Sequence, residues 1–223
     1  MDGTDVDVVV IGSGLGGLAT ALAAKVLGLT PTVLEKEDCV GGGTAWSMGA
    51  VWVGANDVAR AAGIFDSLAA VSSYMEVVAG REGVPERINA FIHNASPALN
   101  LFRANGIPFE IIREAGDHLY GQAPGSVPHG RTLETPAFDG HELGPWRQRL
   151  NTPRGSDWRL SLARTLAARD RDELQKLIQH AAAQDDLCCG VGLIAHFLHQ
   201  LASRGIRIQT GTAALSLIEE GVQ

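Results

Sequence analysis

The run Asp7-Val8-Val9-Val10-Ile11-Gly12-Ser13-Gly14-Leu15-Gly16-Gly17 constrains this chain more than any other stretch. A continuous β-branched segment ended by glycine reads as a buried parallel strand over 6–11. The alanine-rich pattern behind it reads as a helix over 15–27, with Gly28 placed to stop it. A second apolar run, 31–35, reads as the next strand. Together they form a β-α-β unit of about thirty residues, the length a right-handed crossover requires.

In that context Gly12-x-Gly14-x-x-Gly17 fits a dinucleotide fingerprint. The first glycine permits the tight turn from strand to helix. The second lets a pyrophosphate approach the backbone, and the third lets helix and strand pack closely. The helix start offers free N–H groups and a positive dipole end to phosphates. Glu35 lies 23 residues beyond Gly12. A carboxylate there can accept hydrogen bonds from both hydroxyls of an adenosine ribose, and it disfavours the 2′-phosphate of NADP. FAD and NAD share this fingerprint. The second cluster, Gly41-Gly42-Gly43, favours FAD, because it can bring bare backbone against the far half of a long cofactor. A plain NAD-binding domain remains the alternative.

Bulk properties exclude several classes. The 223 residues carry a net charge of −7 and 45% hydrophobic content, enough for one large globular domain. No basic cluster occurs, which argues against nucleic acid or anionic membrane as a partner. No stretch is long and apolar enough for a transmembrane segment. Cys39, Cys188 and Cys189 form neither a disulfide framework nor a CxxC metal pair, and read as reduced thiols of a cytoplasmic protein. Walker, HExxH and nucleophile-elbow motifs are absent.

Further along, Asn56 can cap a helix to 62 and Asp66 one to 79. Pro85 suits the start of a third helix, and Ser96-Pro97 a fourth that ends at Gly106. Residues 107–112 read as a strand. Residues 113–158 hold seven glycines and five prolines in 46 positions without any period. Such a long structureless loop inside a domain is usually functional or mobile. A helical pattern resumes over 158–183, another covers 192–203, and strands are expected at 206–210 and 213–219 before a final turn. The expected fold is α/β: a three-layer, Rossmann-like domain around a parallel sheet of strands 6–11, 31–35 and 206–210. Residues 1–54 supply the β-α-β core and glycine loop, 55–190 a helical and irregular insertion, and 191–223 the returning helix and strands.

The order of motifs resembles the FAD-binding domain of the fumarate reductase and succinate dehydrogenase flavoprotein superfamily, in particular its 3-ketosteroid Δ1-dehydrogenase branch. The resemblance rests on Asp7 to Gly17, Val33-Leu34-Glu35-Lys36, Gly42-Gly43-Thr44-Ala45-Trp46-Ser47, Gly49-Ala50-Val51-Trp52 and Gly211-Thr212-Ala213-Ala214. The middle loop, with Ala123-Pro124-Gly125 and Gly130-Arg131-Thr132-Leu133-Glu134, adds to it. The resemblance implies an FAD-dependent oxidoreductase, in which a flavin exchanges hydride with a small, apolar or steroid-like substrate. It implies that Gly12, Ser13, Gly14, Gly16 and Gly17 face the pyrophosphate, and that Glu35 takes the ribose with Lys36 beside it. Gly42, Gly43, Thr44, Ser47 and Gly49 would follow the ribityl chain and flavin edge. Ala214, in a strand, would meet adenine through its backbone. Met48 departs from the family, which often has glycine there. Members of the superfamily are longer and carry a capping domain that supplies catalytic residues. The chain is therefore expected to be an N-terminal portion, a non-catalytic FAD- or ADP-binding remnant, or half of a split enzyme completed by a partner chain.

Weaker candidates complete the reading. His196 and His199 share a helix face, but no third metal ligand is placed, so a partly exposed face is expected and no metal. Tyr120, near His118 and His129, could serve as a catalytic phenol, although an ordinary loop tyrosine is the favoured reading. Trp46 and Trp52 could line a flavin site or simply pack. Cys39 and the Cys188-Cys189 pair read as packing.

Overall fold

The computed structural model describes residues 6–155 and 157–218. In chain order its elements are β1 (Val8–Ile11), α1 (Leu15–Val26), β2 (Pro31–Leu34), a 3-10 turn (Gly42–Trp46), β3 (Val51–Trp52), α2 (Asp57–Ala61), α3 (Leu68–Ala79) and α4 (Pro85–Ala104). There follow β4 (Glu110–Ile111), β5 (Thr132–Glu134), β6 (Phe138–Asp139), α5 (Leu162–Ala167), α6 (Arg171–Ala183), β7 (Asp186–Leu187), α7 (Cys189–Ser203) and β8 (Arg207–Gln209).

The organising sheet is parallel, in the order β1-β2-β8. Val8 pairs with Pro31 and Ile11 with Leu34, while Thr32 pairs with Arg207 and Leu34 with Gln209. The three expected strands are therefore present and adjacent. Helix α1 packs on β1 and β2, and α7 lies against α1. Val10 and Val33 are buried in one core with Leu18 and Leu22 of α1 and Leu193, Ile194, Phe197 and Leu198 of α7. Helix α1 ends as its sequence dictates. Gly28 adopts φ +84°, and the Leu29 N–H returns to the Ala24 carbonyl, closing a Schellman-type stop.

Several sequence expectations need correction. Strand β1 is buried on one face alone: Val9 and Ile11 are 53% and 59% exposed. The third layer expected over that face is not among the described residues. The expected strand over 213–219 is not formed at 213–218, where Leu215, Leu217 and Ile218 are exposed. Residues 219–223, including the expected final turn, lie outside the described residues. Ser67, not Asp66, caps α3. Helix α4 runs through Pro97 unbroken, because Ile92 and Leu99 on either side are both buried. Tertiary packing there outweighs the local preference against proline. Helix α7 starts at Cys189, ahead of the expected Gly192.

The glycine- and proline-rich stretch is not structureless. It contributes β5 to a three-stranded antiparallel sheet with β3 and β4, β6 to a pair with β7, and two 3-10 turns within Gly140–Arg149 separated by a kink at Gly144. Its first part is held by Arg131, which is almost completely buried. The guanidinium donates to Asp66 from Nε and Nη2, both at 2.7 Å, and to Asp117 from Nη1 at 2.8 Å. It lies 5.4 Å and 5.6 Å from the ring centres of Trp52 and Tyr74. Asp117 also accepts from Trp52 Nε1 and the Val127 N–H. Among the described residues no helix is long and apolar enough to cross a membrane.

Candidate cofactor site

The carboxyl ends of β1 and β2 open onto a cleft of about 460 Å³. It is lined from β1 onward by Ile11, Gly12, Ser13 and Gly14, and from β2 onward by Leu34, Glu35, Lys36 and Glu37. Gly42 and Gly43 close one part, and Thr212, Ala213 and Ala214 another. Ligands of open α/β sheets bind at this end of the strands.

The turn between β1 and α1 follows from its glycines. Gly12 takes φ +95°, a conformation that side chains disfavour. A Cβ on Gly17 would lie 1.9 Å from the Gly12 carbonyl oxygen, so only glycine lets the helix sit this close to the strand. Gly16 is different: a Cβ there would meet nothing within 4 Å, and the residue is exposed. The helix has no side-chain cap of its own. Thr44 supplies one from the second glycine loop, its hydroxyl accepting from the Leu15 N–H at 3.1 Å. The Gly16 and Gly17 N–H groups, in the first turn, have no acceptor within the helix and are suited to an anion.

Glu35 is buried beside this helix start. Its Oε2 accepts from the Ser13 N–H at 2.9 Å and the Ser13 hydroxyl at 2.5 Å, and its Oε1 from the Glu37 N–H at 3.0 Å. Burial pushes the carboxyl upward. Donation from the Glu37 N–H, the Ser13 hydroxyl, the Ser13 N–H and the Lys36 N–H outweighs burial and holds it below the usual glutamate value. The group is ionised and oriented before any ligand arrives. Backbone bonds tie the late segment to it: the Glu35 N–H donates to the Gln209 carbonyl, the Thr212 N–H to that of Glu35 and the Gly211 N–H to that of Glu37. Ala214 therefore reaches the cleft from an irregular segment, not from the strand expected for it.

The second glycine loop is braced from several sides. The Val40 N–H donates to the Arg149 carbonyl, the Asn151 N–H to that of Val40, and Asn151 Nδ2 to that of Gly42 at 3.4 Å. Ser47 and Gly49 are tied to α7 and are not in the cleft lining. The Gly190 N–H donates to the Ser47 carbonyl, and a Cβ on Gly49 would lie 2.2 Å from the Cys189 backbone. Lys36 lies at the rim with its ammonium exposed, 3.6 Å from Glu37. Met48 is exposed as well.

The other candidates lie elsewhere. Tyr120 is exposed on its loop and is not part of the cleft lining. His196 is buried, contrary to the partly exposed face expected, with Nε2 3.0 Å from the Pro136 carbonyl and its ring edge-on to Phe138. Burial lowers its pKa. Among the described residues no group of His, Cys, Asp and Glu could hold a metal. Burial, then Cys189, Asp186 and Glu134, push the Cys188 thiol up to about 12, which makes it a poor nucleophile. Sequence reasoning missed Asn151 and Gly190, and placed Thr212 in a motif without giving it a role. The Gly190-x-Gly192 pair at the start of an apolar helix was the available signal for close packing there.

The residues present fit an FAD-like group: bare backbone at a helix start, a preoriented carboxylate at the end of β2 and a second glycine loop. The family model for the FAD binding domain matches residues 7–222. The chain belongs to this family. FAD is accordingly its cofactor. A 3-oxosteroid 1-dehydrogenase of Mycobacterium tuberculosis is 37% identical over 139 residues, 62% of this chain and 24% of that protein. The chain thus spans about a quarter of the length of the curated relatives it matches. A solved 3-ketosteroid Δ1-dehydrogenase from Sterolibacterium denitrificans, in complex with 1,4-androstadiene-3,17-dione, superposes with a TM-score of 0.80 at 25% identity. That match covers 98% of this chain and 42% of the other. A flavocytochrome c3 fumarate reductase shares the fold, with a TM-score of 0.51 at 15% identity over 92% of this chain and 26% of its own.

Proposed function

We propose that this chain is the FAD-gripping part of a dehydrogenase that removes hydride from an apolar, steroid-like cyclic ketone. The observation that carries the reading is the cleft in which the α1 start, Glu35, Gly42 and Gly43, and the 212–214 segment converge. On this reading Gly14 in the lining and the N–H groups of Gly16 and Gly17 behind it serve the pyrophosphate, Glu35 accepts from the adenosine ribose, and Thr212 to Ala214 run along adenine. Gly42, Gly43 and Thr44 position the distal half of the cofactor. Bound there, FAD would supply hydride-accepting chemistry, and the chain supplies grip and orientation.

An apolar substrate is supported by a second cleft of about 360 Å³ whose lining includes Leu15, the residue after Gly14. Val51, Trp52, Phe91, Leu99, Phe102 and Phe197 are among its apolar lining. The Mycobacterium tuberculosis relative is a 3-oxosteroid 1-dehydrogenase. A cytoplasmic location belongs to the same proposal.

The test is a titration of FAD into the 223-residue chain, followed by flavin fluorescence, with Glu35→Ala alongside. We expect the variant to bind about 1–3 kcal/mol more weakly, as for loss of hydrogen bonds to a charged group. Equal affinity in a folded variant would remove Glu35 from the ribose role. Tight NAD binding without flavin affinity would overturn the whole reading.

A further inference from the structure

We propose that Ser13 is a positioning residue that locks Glu35 and the second glycine loop into one preformed unit for the cofactor ribose, rather than a phosphate contact. The proposal rests on the FAD reading of the cleft. Ser13 is fully buried. Its N–H and its hydroxyl both donate to Glu35 Oε2, and its hydroxyl oxygen in turn accepts from the Gly41 N–H at 3.1 Å. Neither of its donors is left for a phosphate. The hydroxyl is the single atom that joins three segments: the first glycine turn, the acid at the end of β2, and the start of Gly41-Gly42-Gly43.

The chemistry explains why a hydroxyl is needed. A hydroxyl is both donor and acceptor, so one oxygen can satisfy a carboxylate on one side and an amide N–H on the other. Alanine would leave a buried Gly41 N–H without an acceptor and take one of the two Ser13 donors from Glu35 Oε2, leaving the backbone N–H as the other. Thr44, from the same loop, caps α1 at Leu15, so Ser13 and Thr44 staple the loop to the helix start from two sides. A ribose then meets an acceptor already aimed at it, and the ordering cost of binding falls.

Two measurements test this. In the ligand-free chain, carboxyl carbon NMR follows the Glu35 titration, with Glu35→Gln identifying the resonance. We expect Ser13→Ala to raise its midpoint by about half a pH unit or more, because a donor to the ionised form is lost. In FAD titrations, Ser13→Ala is expected to weaken binding about 10-fold, and to have little further effect in a Glu35→Gln background. If Ser13→Ala does not fold, Ser13→Gly removes the same hydroxyl. An unmoved Glu35 midpoint overturns the proposal, as does an equal loss of affinity in both backgrounds. Both leave the FAD reading standing, since that reading fails only if the wild-type chain does not bind FAD.

Discussion

At the scale of single residues, the glycines around the cleft divide into those that pack and those that leave room. A Cβ on Gly190 would lie 1.9 Å from the Thr44 carbonyl oxygen and 2.8 Å from that of Ser47, both backbone atoms that cannot swing away. Gly190→Ala is expected to lower stability by about 1–3 kcal/mol or more. Gly16→Ala, in a first helical turn with open space, should be neutral or gain up to ~1 kcal/mol, while reducing FAD affinity if its backbone faces the phosphates. Urea melts and flavin titrations of both variants separate the two roles. Asp185 sets an acid limit. Hydrogen bonds from Arg147 first, opposed by burial and reinforced by Arg159, lower its pKa from 3.8 to about 2. A folded-state pKa below the unfolded one stabilises above the unfolded value and is lost as pH falls through the folded one. The Asp185 contribution is therefore complete above pH 3.8 and disappears toward pH 2. Denaturant midpoints between pH 4 and 2 should depend less steeply on pH in Asp185→Asn.

At the scale of elements, helices were legible wherever they carried their own stops and caps. Gly28 and Gly205 end α1 and α7 at positive φ, and Asn56 caps α2 by accepting from the Ala59 N–H. Pro97 misled because a proline inside a pattern signals a break, and burial on both sides of it overrode that signal. The loop before β5 was illegible for a different reason. Its order comes from Arg131, whose partners Asp66 and Asp117 and neighbouring rings Trp52 and Tyr74 come from separate segments. Breaking a buried ion pair from one side leaves an uncompensated charge, at a cost of about 3–5 kcal/mol. Arg131→Ala is expected to lose that much in chemical denaturation and to expose the 113–130 loop to limited proteolysis. A variant as resistant as wild type would mean that the loop is held by other contacts.

At the scale of the whole molecule, the cofactor end of the fold is assembled while strand β1 is exposed on one face. Val9 and Ile11 on β1, and Leu215, Leu217 and Ile218 beyond β8, are exposed apolar groups. On the proposed reading the cleft is assembled in this chain, and flavin titration is expected to give saturable FAD binding. Absence of saturation in a folded sample would contradict that expectation.

The β-α-β unit, the glycine turn and the acid at the end of β2 could all be read from residue order. They depend on backbone sterics and on periodicity within some thirty positions, and strand β8 was recognisable from the alternation of Ile206, Arg207, Ile208 and Gln209 behind Gly205. The working of the cleft could not be read that way. Ser13 meets Glu35 across 22 positions, Thr44 caps α1 across 29, and Arg131 finds Asp66 across 65. Hydrogen bonds between such distant groups leave no period in a sequence. They exist only once the core of α1, α7 and the parallel sheet has brought the segments together, and that packing turned Ser13 inward.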